Sequence, residues 1–289
     1  MKPHFFILGN PRSGTTMFRL MMNSHPFISV PPECGFAEWH YEQFKDWDIS
    51  KSIDDDALAE FINRLSGSKK IETWRLDYDF LYSQIKESNP SSYAELCELV
   101  YLSYAAKRQK SVKVWGDKNN YYIKKLTKIN AIFPNSKFIK IIRDGRDVAC
   151  SYIDMKNVKS DSAYKPILTD NIAEIANEWL SNNQVIDDFL KTIESRRSLT
   201  IRYEDLLTNT SGTLKYVTDF LEVVFDSKML EYYRNESDLE PAELMAWKMK
   251  TQQAPDVSNM NKYIGVLSNN DIQTFSQIAG DYLGKYGYS

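Results

Sequence analysis

The stretch GNPRSGTT, Gly9 to Thr16, constrains the fold more than any other eight residues of the chain. It follows the apolar run His4-Phe5-Phe6-Ile7-Leu8 and precedes Met17-Phe18-Arg19-Leu20-Met21-Met22, which has helical character. Strand, glycine loop and helix, in that order, are the setting of a phosphate-binding loop. A loop of this kind turns several backbone N–H groups toward one spot, and the dipole of the following helix adds partial positive charge there. Ser13, Thr15 and Thr16 add hydroxyl groups. A loop that binds ATP or GTP carries lysine directly after its last glycine. Here Thr15 follows Gly14, and the cation is Arg12, ahead of the glycine. Its planar, permanently charged fork suits a single phosphate bearing a further anionic group.

The order of elements extends this to the whole chain. Apolar, β-rich runs recur at Phe5–Leu8, Ser111–Trp115, Phe138–Ile142 and Leu199–Arg202, with a short extra strand at Ile28–Val30. Helical patterns lie between them. Ser92 to Gln109 opens on a capping box, Ser92-x-x-Glu95, and continues with Leu96, Leu99 and Val100 at helical spacing. Tyr122 to Phe133 stops at Pro134, Asn171 to Ile193 is long and amphipathic, and Asp271 to Tyr286 follows near the end. Strands alternating with helices predict an α/β fold, a P-loop-type, mostly parallel sheet with helices on both faces. Ligands of such sheets bind outside the carboxyl ends of the strands. A single domain over 1–289 is expected, with 35–110 as a largely helical insertion.

A second stretch, IKIIRDGRDVACSY from Ile139 to Tyr152, ends a strand on Arg143 and places Ser151 eight residues later on the next helix. The two can converge on a second phosphate. The alternative is a surface ion-pair cluster of Arg143, Asp144, Arg146 and Asp147, of little energetic value.

Together the two stretches resemble the sulfotransferases that use 3′-phosphoadenosine 5′-phosphosulfate. PRSGTT is similar to that family's 5′-phosphosulfate loop, in the branch where arginine replaces lysine, which includes tyrosylprotein and carbohydrate sulfotransferases. RDGRDVACS is similar to its 3′-phosphate motif. IRYEDLL, Ile201 to Leu207, and NKYIG, Asn261 to Gly265, are further matches in the family's order. The resemblance implies that Arg12, Ser13, Gly14, Thr15, Thr16, Arg143, Ser151, Tyr203 and Lys262 bind the donor. It implies a general base at Glu33, 21 residues after Arg12, and a lysine at the transferred group, Lys118. Many relatives carry a histidine base two residues after that lysine; this chain has Asn120, which favours Glu33. The bland alternatives are a surface glutamate after Pro31-Pro32 and a solvated lysine at a strand end. No metal is required for this chemistry in principle.

The acceptor is expected to be a carbohydrate or small-molecule hydroxyl. Its pocket is expected within Gly35 to Ser88, which carries Phe36, Trp39, Tyr41, Phe44, Trp47, Trp74, Tyr78, Phe80 and Tyr82, although most aromatics of such a segment serve the core. Asp54-Asp55-Asp56 reads as a helix start. Prolines and polar residues between Glu240 and Asn261 suggest a loop or lid. Net charge is −3, which gives no footprint for nucleic acid. The cysteines, Cys34, Cys97 and Cys150, have no disulfide or metal spacing, and no signal peptide or membrane span is visible, so a cytoplasmic protein is expected. Two rivals remain: a P-loop kinase or nucleotide phosphotransferase, with Asp117 as its candidate magnesium carboxylate, and a non-catalytic nucleotide-binding protein of the same fold.

Overall fold

The computed structural model describes residues 1–234, 247, 248, 251 and 253–288. Five strands form one parallel sheet: β1 His4–Leu8, β2 Ile28–Ser29, β3 Val114–Lys118, β4 Lys137–Ile142 and β5 Ser198–Arg202. They lie in the order β2-β3-β1-β4-β5, with β1 at the centre. The chain leaves β1 toward one edge and later crosses to the other. The loop after β1 therefore sits at the point where the strand order reverses, where such sheets bind ligands.

Side chains alternate across the sheet, as a strand's period of two requires. Phe5, Ile7, Ile139, Ile141, Leu199 and Ile201 bury one face against α1, Thr15–Asn23, and the segment from Leu206 to Tyr232. Phe6, Leu8 and Phe138 face the opposite way, into a core shared with residues between Cys34 and Phe133. A third cluster joins Ile142 to helices Gly145–Asp154, Ile172–Lys191 and Asn269–Lys285. No described helix is long and apolar enough to cross a membrane.

The expected strand at Ser111–Trp115 is shifted: pairing starts at Val114 and runs through Gly116, Asp117 and Lys118. Those last three residues have low β-propensity, and tertiary pairing with β1 overrides it. Gly116 is needed there, since a Cβ would lie 2.6 Å from the Phe5 ring. Lys118 is thus the last residue of the strand rather than part of the loop after it. The capping box at Ser92 is half present. Ser92 accepts from the Glu95 amide, but the Glu95 carboxylate accepts from the amide of Ser91, at 2.7 Å. The expected helix at Tyr122–Phe133 begins as a 3₁₀ turn, Asn120–Lys125. Asp54 does start a helix, capping the amides of Asp56 and Ala57.

All assigned elements from Phe36 to Ala106 are helical. Of the aromatic residues expected around an acceptor there, Phe36, Phe44, Trp47 and Trp74 are core, and Tyr41, Tyr78 and Tyr82 pack against it. Trp39 and Phe80 are exposed.

Candidate active site

A cleft of about 860 Å³ opens at the carboxyl ends of β1, β3 and β4. It is lined by Arg12, Gly14, Thr15, Thr16, Glu33, Lys118, Arg143, Ser151, Tyr203 and Lys262. Nine of the ten residues expected to bind donor or acceptor groups on the loop, at strand ends and beyond therefore meet in one place, as does the glycine between them. Ser13 is buried, and its hydroxyl has no hydrogen-bond partner among the described residues.

The loop has backbone features that few sequences tolerate. Gly14 is the residue preceding α1 and has φ 86°. A Cβ on it would sit 2.3 Å from the Tyr203 ring. Tyr203, the first residue after β5, thus fills the space a side chain would take. The Arg143 guanidinium lies 4.5 Å from the centre of the same ring. Arg12 is itself left-handed, with φ 68°, a costly conformation for a side-chain-bearing residue. Its Nε donates to Ser151 Oγ at 2.9 Å, and its carbonyl accepts from Arg143 at 3.1 Å. The two phosphate motifs are therefore in contact. Burial, then the charge of Arg143, lowers the Arg12 pKa.

Arg143 also donates to the Asn259 carbonyl at 2.7 Å, and its Nε is buried without a partner among the described residues. Asp147, from the same motif, accepts from the amides of Asn261 and Tyr263 at 2.8 and 3.1 Å. That pair of bonds holds Lys262 at the cleft, where its Nζ lies 3.3 Å from Asp154. The other acid of the motif, Asp144, pairs with Arg146, and its amide donates to Glu204 at 3.0 Å. Glu204 in turn accepts from the Tyr288 hydroxyl at 2.7 Å. The alternative of a surface ion-pair cluster fails because Arg143, Asp144, Arg146 and Asp147 are all buried.

Glu33 is no surface residue either: its side chain is 13% exposed. The backbone around it is fixed on both sides. Arg19 donates to the Val30 carbonyl and Asn23 accepts from the Val30 amide, at 3.0 and 2.8 Å. Trp74 Nε1 donates to the Pro32 carbonyl at 2.8 Å, and the Tyr122 hydroxyl to the Cys34 carbonyl at 3.4 Å. The carboxylate meets three lysines. Lys118 is on Oε1, Lys70 is 2.9 Å from Oε2, and Lys248 is 3.8 Å from Oε2. Burial alone would raise the Glu33 pKa; Lys118, Lys248 and Lys70 overcome it and hold the group well below the usual carboxylate range. Lys118 also lies 3.3 Å from Thr16 Oγ1, so it stands between the loop and Glu33.

Sequence reasoning missed Lys70, Lys248 and the cleft aromatics Tyr121, Tyr164, Tyr232 and Trp247. Of the segment Gly35 to Ser88, only Lys70 reaches the cleft. The expected lid at 241–261 lies partly outside the described residues; within it, Trp247, Lys248 and Gln253 to Asp256 line the cleft.

The sequence profile of the sulfotransferase family matches residues 3–227, and the chain belongs to that family. Protein-tyrosine sulfotransferase 2 of Gallus gallus is 24% identical over 292 residues, 99% of this chain and 69% of its own length. Protein-tyrosine sulfotransferase A of Caenorhabditis elegans is 22% identical over 238 residues, 80% of this chain; the match spans about half, 52%, of that relative. The sulfotransferase domain from the curacin biosynthetic pathway has the same fold, with a TM-score of 0.63 at 23% identity over 96% of this chain and 98% of its own. A mouse sulfotransferase solved in complex with PAP gives a TM-score of 0.52 at 13% identity, over 98% and 85% of the two chains.

Proposed function

We propose that the protein transfers a sulfuryl group from 3′-phosphoadenosine 5′-phosphosulfate to a hydroxyl acceptor, with Glu33 as the base. One observation carries this reading: the loop from Arg12 to Thr16, the Arg143–Ser151 motif and the Glu33–Lys118 pair share one cleft. The donor fits the residues present. Ser13 Oγ and Arg143 Nε are buried polar groups without partners among the described residues. Unsatisfied buried donors are costly, and a bound anion relieves that cost. The α1 N-terminus, with Thr15 and Thr16 at the cleft, suits the 5′ end of the donor. Arg143, with Ser151 and Lys262 nearby, suits the 3′-phosphate.

In this reading the acceptor oxygen attacks sulfur as its proton passes to Glu33. The new O–S bond forms while the bond from sulfur to the 5′-phosphate oxygen breaks, and that oxygen keeps the electron pair. Lys118 and Arg12 stabilise its charge, the term expected to contribute most. Arg12 Nε is bonded to Ser151, and the rest of its guanidinium is the part that would serve the 5′ end. A Glu33 held far below the usual pKa by Lys118 is also a weak base. An anionic donor that draws Lys118 toward the loop would restore its basicity.

The favoured acceptor is a carbohydrate or small molecule. The protein-tyrosine sulfotransferases among the relatives support a second reading, a tyrosine hydroxyl, and radiolabelled transfer to a panel of both classes distinguishes them. The kinase rival loses its magnesium carboxylate. Asp117 is fully buried, and its Oδ2 accepts from Tyr101 and Tyr122 at 2.6 and 2.9 Å. The test of the donor is thermal denaturation with adenosine 3′,5′-bisphosphate, AMP and ATP with magnesium. Only the bisphosphate should raise the melting temperature strongly, by mass action on the native state. Equal shifts with AMP would remove the 3′-phosphate assignment.

A further inference from the structure

We infer that Lys70 is a positioning residue for Glu33, one that holds Oε2 so that Oε1 is the oxygen presented to the acceptor. The inference rests on the reading of Glu33 as base. It starts from the turn Ile71–Trp74, which grips Glu33 twice. Trp74 fixes the backbone next to it through the Pro32 carbonyl, and Lys70, which opens the turn, fixes the carboxylate at 2.9 Å. Lys70 adopts φ 71°, a left-handed conformation that a lysine does not take without compensation. Its carbonyl accepts from both the amide and the hydroxyl of Thr73, at 3.1 and 2.7 Å, so the strained residue is locked from behind.

The lysines on the two oxygens come from different places. Lys118, on Oε1, ends β3 and already touches Thr16 of the donor loop. It is the lysine a bound donor would draw away. Lys70, on Oε2, comes from the helical segment, and its backbone is held by the turn that also grips Pro32. Withdrawal of Lys118 alone would leave a buried carboxylate that burial pushes toward protonation, which would disable the base. Lys248 and Lys70 together keep it ionised, and Lys70, the nearer of the two to Oε2, keeps its plane fixed while Oε1 becomes open. The other charged groups facing Glu33 are Lys248, 3.8 Å from Oε2, and the buried carboxyl of Asp117 on β3, whose ionisation the like charge of Glu33 disfavours.

The experiment needs no acceptor. The Glu33 side-chain carboxyl is followed by carbon NMR against pH, assigned with Glu33→Gln, with adenosine 3′,5′-bisphosphate bound. In Lys70→Met, and independently in Lys70→Gln, Glu33 should titrate about 1–3 pH units higher than in the wild type, the usual effect of losing an adjacent opposite charge. Lys70→Arg should restore the wild-type titration. The melting shift given by the bisphosphate should persist in all three, which a merely disrupted fold would not allow. A wild-type titration in Lys70→Met and Lys70→Gln would overturn the proposal. Failure of the parent reading shows elsewhere: Glu33→Gln would then transfer sulfuryl groups at the wild-type rate, whatever the Lys70 variants do.

Discussion

At the end of the cleft formed by the Arg12–Thr16 loop, Arg143 and Ser151, the groups come from residues at or soon after the ends of the central strands β1 and β4. Their positions follow from backbone geometry: a left-handed glycine, a helix N-terminus, a strand end. At the other end, around Glu33, the groups come from Lys118 on β3, Lys70 from the helical segment and Lys248 from far along the chain. Here position is set by side-chain ion pairs and by long-range bonds such as Trp74 to Pro32. The first end is a scaffold with a fixed shape. The second is a balance of charges, and removing any member shifts the others.

If that contrast is right, substitutions at the two ends should fail differently. The largest effect belongs to Glu33→Gln. Turnover should fall by about 10²–10⁴, the usual contribution of a positioned base, while bisphosphate affinity survives. Single-turnover kinetics beside calorimetric binding would show it, and a parallel loss of binding would blur the two ends into one. Arg143→Ala should behave in the opposite way. A charged hydrogen bond contributes about 1.5–3 kcal/mol, so bisphosphate binding should weaken by roughly 10- to 150-fold while AMP binding hardly changes. Ser151→Ala should weaken it less; equal losses for both ligands would break the assignment of this motif to the 3′-phosphate.

The smaller effect concerns stability behind the charge-balanced end. Burial pushes the Asp117 carboxyl up to about 6, despite hydrogen bonds from Tyr101 and Tyr122. Its folded-state pKa lies above the unfolded value, so between about pH 4 and 6 the native state holds the extra proton. The contribution of Asp117 to stability is therefore full at low pH and is lost as pH rises through 6. Glu33 has the reverse sign, since its depressed pKa gives stability above about pH 4.5 that is lost on acidification. Asp117→Asn removes only the first of these. Urea denaturation should show the variant gaining on the wild type between pH 4.5 and 7.5, by at most about 3 kcal/mol. A constant difference across that range would mean that Asp117 does not titrate there.

The same contrast explains what the sequence revealed. The loop, the Arg143 motif and the five strands were legible because each is a contiguous pattern whose local geometry is its function. Glu33 and Lys118 were reachable only through resemblance, and Lys70 not at all. Nothing in a lysine 37 positions from Glu33 signals that it will reach it. The aromatics after Gly35 are mostly core, as burial alone accounts for them, so they carry little information about an acceptor site. Asp147 was within reach: it sits in the recognised motif and was weighed only as part of a surface cluster, yet it anchors Asn261 and Tyr263. The misplaced start of β3 has a plain cause. Ser111 to Lys113 look more strand-like than Gly116 to Lys118, and only the partner strand decides between them.

The bond from Tyr288 to Glu204, and from Glu204 to the amide of Asp144, has a consequence for how the protein is made. The turn that carries Arg143 is braced by a residue synthesised some 140 positions later, and the loop at Gly14 is shaped by Tyr203, almost 190 positions away. During translation the early strands can emerge and collapse, but the Gly14 half of the donor cradle cannot acquire its final form before Tyr203 has left the ribosome, nor the Arg143 half before Tyr288. Contacts this distant in sequence are slow to close. A nascent chain halted before residue 288 would carry every donor-binding side chain and still lack the brace that holds one of the two motifs in place.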